Sequence, residues 1–125
     1  MTISYKTVAI AAAGLSLVLC LVFFAAPERM LDTWGVTSNP SSDFVAKRLG
    51  ALFLGMAVIL ASTRDIGPSP ARTGICNGAI AAFTSLAILG AVEYFRGHVS
   101  AGIGSAVVVE LAFAAAFLFV DRSGR

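Results

Sequence analysis

The sequence predicts an all-α integral membrane protein: a four-helix bundle with a short interfacial helix between spans one and two. The composition is one reason, because 58% of the residues are hydrophobic, only 13% are charged and the mean hydropathy is +0.87. A small water-soluble domain has too little polar surface to cover so much apolar side chain. The second reason is that four segments have the length of about 20 residues that a helix needs to cross a bilayer.

The predicted spans form one transmembrane domain, 1–125. They lie at 7–26, 44–63, 73–93 and 99–120. Only helices satisfy their own backbone hydrogen bonds in lipid without closing a barrel. The first span is too long and too uniformly uncharged for a secretory signal. The connections after the second and third spans are short, so consecutive helices there should be antiparallel neighbours.

The connection between spans one and two mixes apolar residues with charges. We expect a short interfacial helix over 27–35 that ends at Gly35, with Trp34 as an anchor at the headgroup boundary. A polar turn follows, and Ser42 or Asp43 is the predicted N-cap of the second span.

The basic residues predict the orientation. Lys6, Arg64, Arg72, Arg122 and Arg125 lie on one side, against Arg29, Arg96 and the boundary pair Lys47 and Arg48 on the other. The positive-inside rule then predicts a multi-pass membrane protein with both termini in the cytoplasm. The net charge is only +2 and the basic residues are scattered, so we expect no nucleic-acid partner.

Glu110 interrupts the uncharged run "SAVVVELAFAAAFLF" near the middle of the fourth span. A charge at that depth costs about 2.5 to 3.5 kcal/mol, so the side chain should face protein. The predicted partner is Arg48, whose depth differs by about six residues, or roughly 9 Å. The pair has a structural interpretation, in which it sets helix register, and a functional one, as a proton relay or polar ligand site. Lipid-facing side chains that snorkel are the third alternative.

Small residues recur every four positions at Gly74, Gly78 and Ala82, and Asn77 lies beside them. Such a face lets another helix approach closely, and an Asn amide can hydrogen-bond across the contact. We favour packing inside the bundle over contact with another chain. Companion faces are Ala51 with Gly55 on the second span and Gly102 with Ala106 on the fourth.

Motifs for enzymatic chemistry are missing from the sequence, which has no phosphate loop, nucleophile elbow or paired-His motif. His98 is the only histidine, so we predict no metal site. We expect no catalytic activity of the chain's own and no cofactor. Bound lipid or quinone is an open alternative, for which Phe83, Phe113 and Phe117 would form an apolar wall.

Three features carry a family resemblance: four short spans, the connection "PERMLDTWGV" and the start of the second span, "RLGALFLGMAVIL". In these the chain resembles small bacterial membrane proteins of the DoxX-like superfamily. The resemblance implies a four-helix membrane bundle with Arg48 facing its interior. It also implies relatives that look like subunits of quinone-linked redox enzymes or partners of other membrane proteins.

The leading functional hypothesis is therefore an accessory or assembly subunit of a larger membrane complex, redox or bioenergetic in kind. Its partners would be the lipid bilayer and other membrane subunits or further copies of itself. The alternatives are a proton-linked small-solute transporter that uses Glu110, and a quinone- or lipid-binding membrane subunit.

Overall fold

The computed structural model describes residues 2–124, and this part of the chain folds into helices without strands. The five helices are α1 (Tyr5–Ala25), α2 (Pro27–Thr33), α3 (Pro40–Ser62), α4 (Pro70–Phe95) and α5 (Ile103–Ser123). α1 packs mainly on α3, and α4 packs mainly on α5. Arg125, one of the basic residues predicted to lie on the cytoplasmic side, is outside the described residues. The predicted all-α four-helix bundle is confirmed.

The four long helices are each long and apolar enough to cross a membrane. Their outward side chains are as apolar as their inward ones: Leu52 is 73% exposed, Leu21 is 59% exposed and Leu89 is 58% exposed. Surface leucines in such number would be costly in water but are at home against acyl chains. The chain is a multi-pass membrane protein.

Contacts at the ends of the helices fix their directions. The start of α1 meets the residue after α3, since the hydroxyls of Tyr5 and Thr63 lie 3.3 Å apart. The start of α4 meets the end of α5, since Thr73 Oγ1 donates to Asp121 Oδ1 at 3.0 Å. Both pairs of helices are therefore antiparallel. We call the end with Tyr5 and Asp121 the terminal end, and the opposite end the α2 end.

The start of α3 differs from the prediction. The helix begins at Pro40 rather than at 44, and its N-cap is Asn39, not Ser42 or Asp43. The Asn39 side chain accepts hydrogen bonds from the backbone N–H groups of Ser41 and Ser42, both at 3.0 Å. The Ser42 hydroxyl accepts from the Asn39 N–H at 2.9 Å and completes a capping box. Pro40 suits the first helical position because no N–H is needed there.

The interfacial helix forms as α2 and is closed by Gly35, whose φ is +72°. The N–H of Gly35 donates to the carbonyl of Asp32 at 2.9 Å, and the N–H of Val36 donates to the carbonyl of Leu31 at 2.8 Å. This is a Schellman motif, which favours glycine at the left-handed position. The glycine therefore turns the chain away from α2 at the predicted place.

The start of α5 also differs, at Ile103 rather than 99, because the preceding residues bond to α2 instead. The N–H of Ser100 donates to the carbonyl of Trp34 at 2.7 Å. The Ser100 hydroxyl donates to the carbonyl of Thr33 at 3.1 Å. Gly102 lies so close to Thr33 that a Cβ would overlap the Thr33 carbonyl oxygen. The α4–α5 loop thus holds α2 in place.

The core consists of two clusters of buried side chains. The first lies toward the terminal end and draws on all four long helices; it includes Ala9, Leu60, Phe83 and Phe117. The second lies at the α2 end and consists of Cys20, Phe23, Leu31, Ala46 and Phe53, from α1, α2 and α3. Within residues 2–124, α5 contributes no side chain to the second cluster. Packing between α5 and that cluster is therefore incomplete.

Candidate functional site

A cavity of about 220 Å³ lies between the second core cluster and the first half of α5. Its α5 lining consists of Ser105, Ala106, Val109 and Glu110. Ser105 and Ala106 are too small to fill the space between α5 and the Phe23 cluster. The cavity follows from this choice of small side chains on α5.

Aromatic rings form the wall on the α1–α3 side. Phe23 stacks on Phe53 with the ring centroids 6.2 Å apart, and it contacts Trp34 at 5.9 Å. All three side chains line the cavity. Trp34, predicted as an anchor at the headgroup boundary, thus also packs inward, where α2 covers the cavity.

The predicted wall of Phe83, Phe113 and Phe117 forms only in part. Phe83 lines the cavity. Phe113 and Phe117 stack on Phe83 at centroid distances of 5.4 and 6.4 Å but do not line it. Both belong to the packing of the first cluster, because they lie one and two turns farther along α5 from Glu110. The three rings therefore pack on one another and do not form a continuous wall of the cavity.

Glu110 brings a carboxyl group to this apolar cavity. Its Oε2 atom is enclosed and has no hydrogen-bond partner within residues 2–124. Burying a polar atom without a partner is costly, and more so in a membrane. The Ser16 hydroxyl is also enclosed without a partner in the described part of the chain, but it lies on α1 and does not line the cavity. The enclosed oxygen beside an open space marks this place as the candidate site.

The structure does not bring Arg48 and Glu110 together. Arg48 is exposed, and its guanidinium lies 5.9 Å from the centroid of the Phe44 ring. α3 buries Ala46 and Gly50. Arg48 lies two positions from each of them, and two positions turn an α-helix by about 200°. The Arg48 side chain therefore points to the opposite, outer face of α3. Its placement matches the snorkelling alternative and corrects both the predicted pair and the predicted inward orientation.

The small-residue face of α4 does not pack inside the bundle, which corrects the favoured interpretation. Gly74, Asn77 and Gly78 are exposed, and a Cβ at either glycine would meet no atom within 4 Å. Ala82 is only partly buried, and on α3 Ala51 and Gly55 are exposed. The close approaches use Gly50, next to Phe23, and Gly90, next to Val107. The faces predicted on α3 and α4 are turned toward lipid or another chain, whereas on the fourth span Gly102 contacts Thr33 and Ala106 lines the cavity.

A polar cluster that was not predicted from the sequence lies at the terminal end. Arg72 is only 9% exposed, and Asp121 is only 3% exposed. The Arg72 guanidinium lies 5.1 Å from the Tyr5 ring centroid, and Asp121 accepts a hydrogen bond from Thr73. The sequence could have predicted this cluster. The third and fourth spans are antiparallel neighbours, so the arginine at the start of the third span and the acid at the end of the fourth lie at the same end of the bundle.

Comparison with family models, curated proteins and solved structures returns no match to this chain. The DoxX-like resemblance therefore stays a prediction.

Proposed function

We propose that this protein binds a lipid-soluble small molecule in the cavity inside the bundle, with Glu110 as the polar contact. The observation that carries the proposal is an apolar cavity of about 220 Å³ lined by Glu110, one of whose carboxyl oxygens is enclosed without a hydrogen-bond partner among residues 2–124. Small-molecule sites are typically apolar with a few polar groups that fix orientation. The cavity fits this description.

The size of the cavity restricts the ligand. An apolar cavity of about 150 Å³ holds a benzene molecule, whereas sites for drug-sized ligands begin near 300 Å³. At about 220 Å³, this cavity accommodates one ring with a short chain, or the end of a longer molecule. A quinone head group or the end of a lipid fits within that limit.

The proposal is tested by identifying what co-purifies with the protein. The protein is isolated from its native membrane, and lipid-soluble molecules are extracted and measured by mass spectrometry. Ala106→Phe places a ring in the cavity. Ala112→Phe, on the exposed face of the same helix, is the matched control.

We expect one compound at a fixed ratio to wild-type protein, retained by Ala112→Phe and lost from Ala106→Phe. If both phenylalanine variants carry the same compounds in the same amounts as the wild type, the proposal is wrong.

A second candidate function is an accessory or assembly subunit of a larger membrane complex. The exposed Gly74, Asn77 and Gly78 favour it, because small residues beside an amide are the usual contact face between membrane helices. Gly78→Leu should release a partner that co-purifies in mild detergent. Gly14→Leu, at an equally open position on α1, should not. Equal recovery of the partner with both variants would exclude this face.

We also propose that the terminal end faces the cytoplasm of a bacterial inner membrane. Lys6, Arg64, Arg72 and Arg122 lie at this end. Lys47 and Arg48 lie within α3, and when they are counted with the span, Arg29 and Arg96 are the cations of the opposite end. On that count the positive-inside rule favours this orientation. A transport role for Glu110 stays a separate prediction. Glu110 is the one titratable group among the described residues that line the cavity, so the lining supports binding better than a proton relay.

A further inference from the structure

We propose that the cavity selects a lipophilic amine: an apolar ring or chain that carries an ammonium group, which pairs with Glu110. This inference rests on the proposed function and names the chemical class of its ligand. It follows from which hydrogen-bonding groups of the lining remain available, and from the charges of the lining.

The hydroxyls of the lining have already used their hydrogens. Thr33 Oγ1 donates to the carbonyl of Arg29 at 2.9 Å, and Ser105 Oγ donates to the carbonyl of Gly102 at 3.0 Å. A hydroxyl has one hydrogen and two lone pairs, so each oxygen is left as an acceptor. Among the described lining residues, the Trp34 indole N–H is the remaining side-chain N–H or O–H donor, and it lies at the α2 end of the cavity. Glu110 and the two hydroxyls thus favour a ligand that donates.

The charge of the lining points the same way. Among the described lining residues there is one acid, Glu110, and no lysine, arginine or histidine. Arg48, the nearest predicted cation, lies on the outer face of α3 instead. An ammonium ion supplies the charge that the protein does not, and a paired charge is far less costly in an apolar interior than a single one.

The aromatic walls suit a cation as well. Phe23, Trp34 and Phe53 present rings on one side of the cavity, and Phe83 lies on its α4 wall. The faces of aromatic rings attract cations, most strongly those of tryptophan. A neutral ligand gains only packing from these rings, whereas an ammonium gains packing and electrostatic attraction.

The test uses three probes of one shape: ethylbenzene, 2-phenylethanol and 2-phenylethylamine. Trp34 is the only tryptophan of the chain, so in lipid nanodiscs with a tryptophan-free scaffold protein its fluorescence reports binding in the cavity. Affinities are corrected for the partition of each probe into protein-free nanodiscs. The same series is measured on Glu110→Gln, which keeps the side-chain shape, and on the control Glu28→Gln, an exposed acid on α2.

We expect the amine to bind wild-type protein at least about tenfold more tightly than the other two probes. The preference should fall to about twofold or less in Glu110→Gln and persist in Glu28→Gln. If the three probes bind wild-type protein equally, or the alcohol equals the amine, the amine inference is wrong while the proposed function stands. If no probe gives a saturable signal, both the amine inference and the proposed function are wrong. The wild-type series decides between these outcomes even if Glu110→Gln does not fold.

Discussion

The backbone N–H of Ser100 donates a hydrogen bond to the carbonyl oxygen of Trp34 at 2.7 Å, and this bond joins the α4–α5 loop to α2. Because Trp34 lines the cavity, the bond also positions one of its walls. The cover of the candidate site therefore depends on a loop that is remote from α2 in sequence.

The first prediction concerns this junction. In Gly102→Ala, the new Cβ overlaps the carbonyl oxygen of Thr33, so α2 must shift. Overpacking of this kind destabilises by about 1–3 kcal/mol, and the Trp34 emission should change with it. Thermal unfolding and fluorescence in detergent measure the two effects.

Gly104→Ala is the control for Gly102→Ala, because its Cβ would meet no atom within 4 Å. It should leave the emission unchanged and stabilise by up to about 1 kcal/mol through helix propensity. Equal behaviour of the two variants would show that the α2 contact is not tight.

The second prediction concerns the approach of α1 to α3. A Cβ at Gly50 would lie 3.0 Å from Phe23 Cβ, an atom next to the backbone of a buried side chain that has little freedom to move. Gly50→Ala should therefore destabilise the bundle. Gly55→Ala, on the open face of the same helix, should stabilise it by up to about 1 kcal/mol. Unfolding by denaturant in micelles compares them, and the reverse order would refute the packing described for α3.

The third prediction compares two phenylalanines of α5. Phe117 is fully buried and stacks on Phe83, whereas Phe119 is 51% exposed. Phe117→Ala leaves a cavity between helices and should cost at least about 2 kcal/mol. In Phe119→Ala, lipid fills the space that the ring occupied, so the loss of unfolding free energy should be small. Similar losses from both variants would mean that α5 is rotated differently.

These pairs show why part of the structure could not be predicted. The four spans followed from length and hydropathy, and Gly35 marked the end of α2. The rotation of each helix did not follow, since outward Leu52 and inward Phe53 are equally apolar and leave no amphipathic pattern. Gly50 and Gly55 are likewise the same residue type, but Gly50 packs against Phe23 and Gly55 has an open surface. Depth alone therefore suggested an Arg48–Glu110 contact that helix rotation prevents.

The fourth prediction concerns the exposed ion pair at the terminal end. Lys6 Nζ lies 2.7 Å from Asp65 Oδ1, and this hydrogen bond lowers the pKa of Asp65, with a smaller contribution from the charge of Arg64. Because the pKa is lower in the folded state, the ionised Asp65 stabilises the fold at pH values above the unfolded-state pKa of Asp, about 3.9. This stabilisation disappears as the pH falls through the folded-state pKa. The stabilisation is therefore present at neutral pH and lost in acid.

In Lys6→Gln the pKa of Asp65 should rise, as measured by NMR titration of the labelled carboxyl carbon. The small stability difference from wild type should vanish at acid pH. Lys47→Gln, an exposed lysine near the α2 end, is the control and should leave that pKa unchanged. A pKa of Asp65 that is the same in all three proteins would contradict the pairing.

The most direct test of the central claim is ¹⁹F NMR of the protein labelled with 5-fluorotryptophan, which places a single probe at Trp34 beside the cavity. Ethylbenzene is titrated into nanodiscs that contain wild-type protein or Ala106→Phe. We predict a saturable shift of the Trp34 resonance in the wild type and none in Ala106→Phe. A shift that grows without saturation, or to the same extent in both proteins, would contradict a ligand cavity inside the bundle.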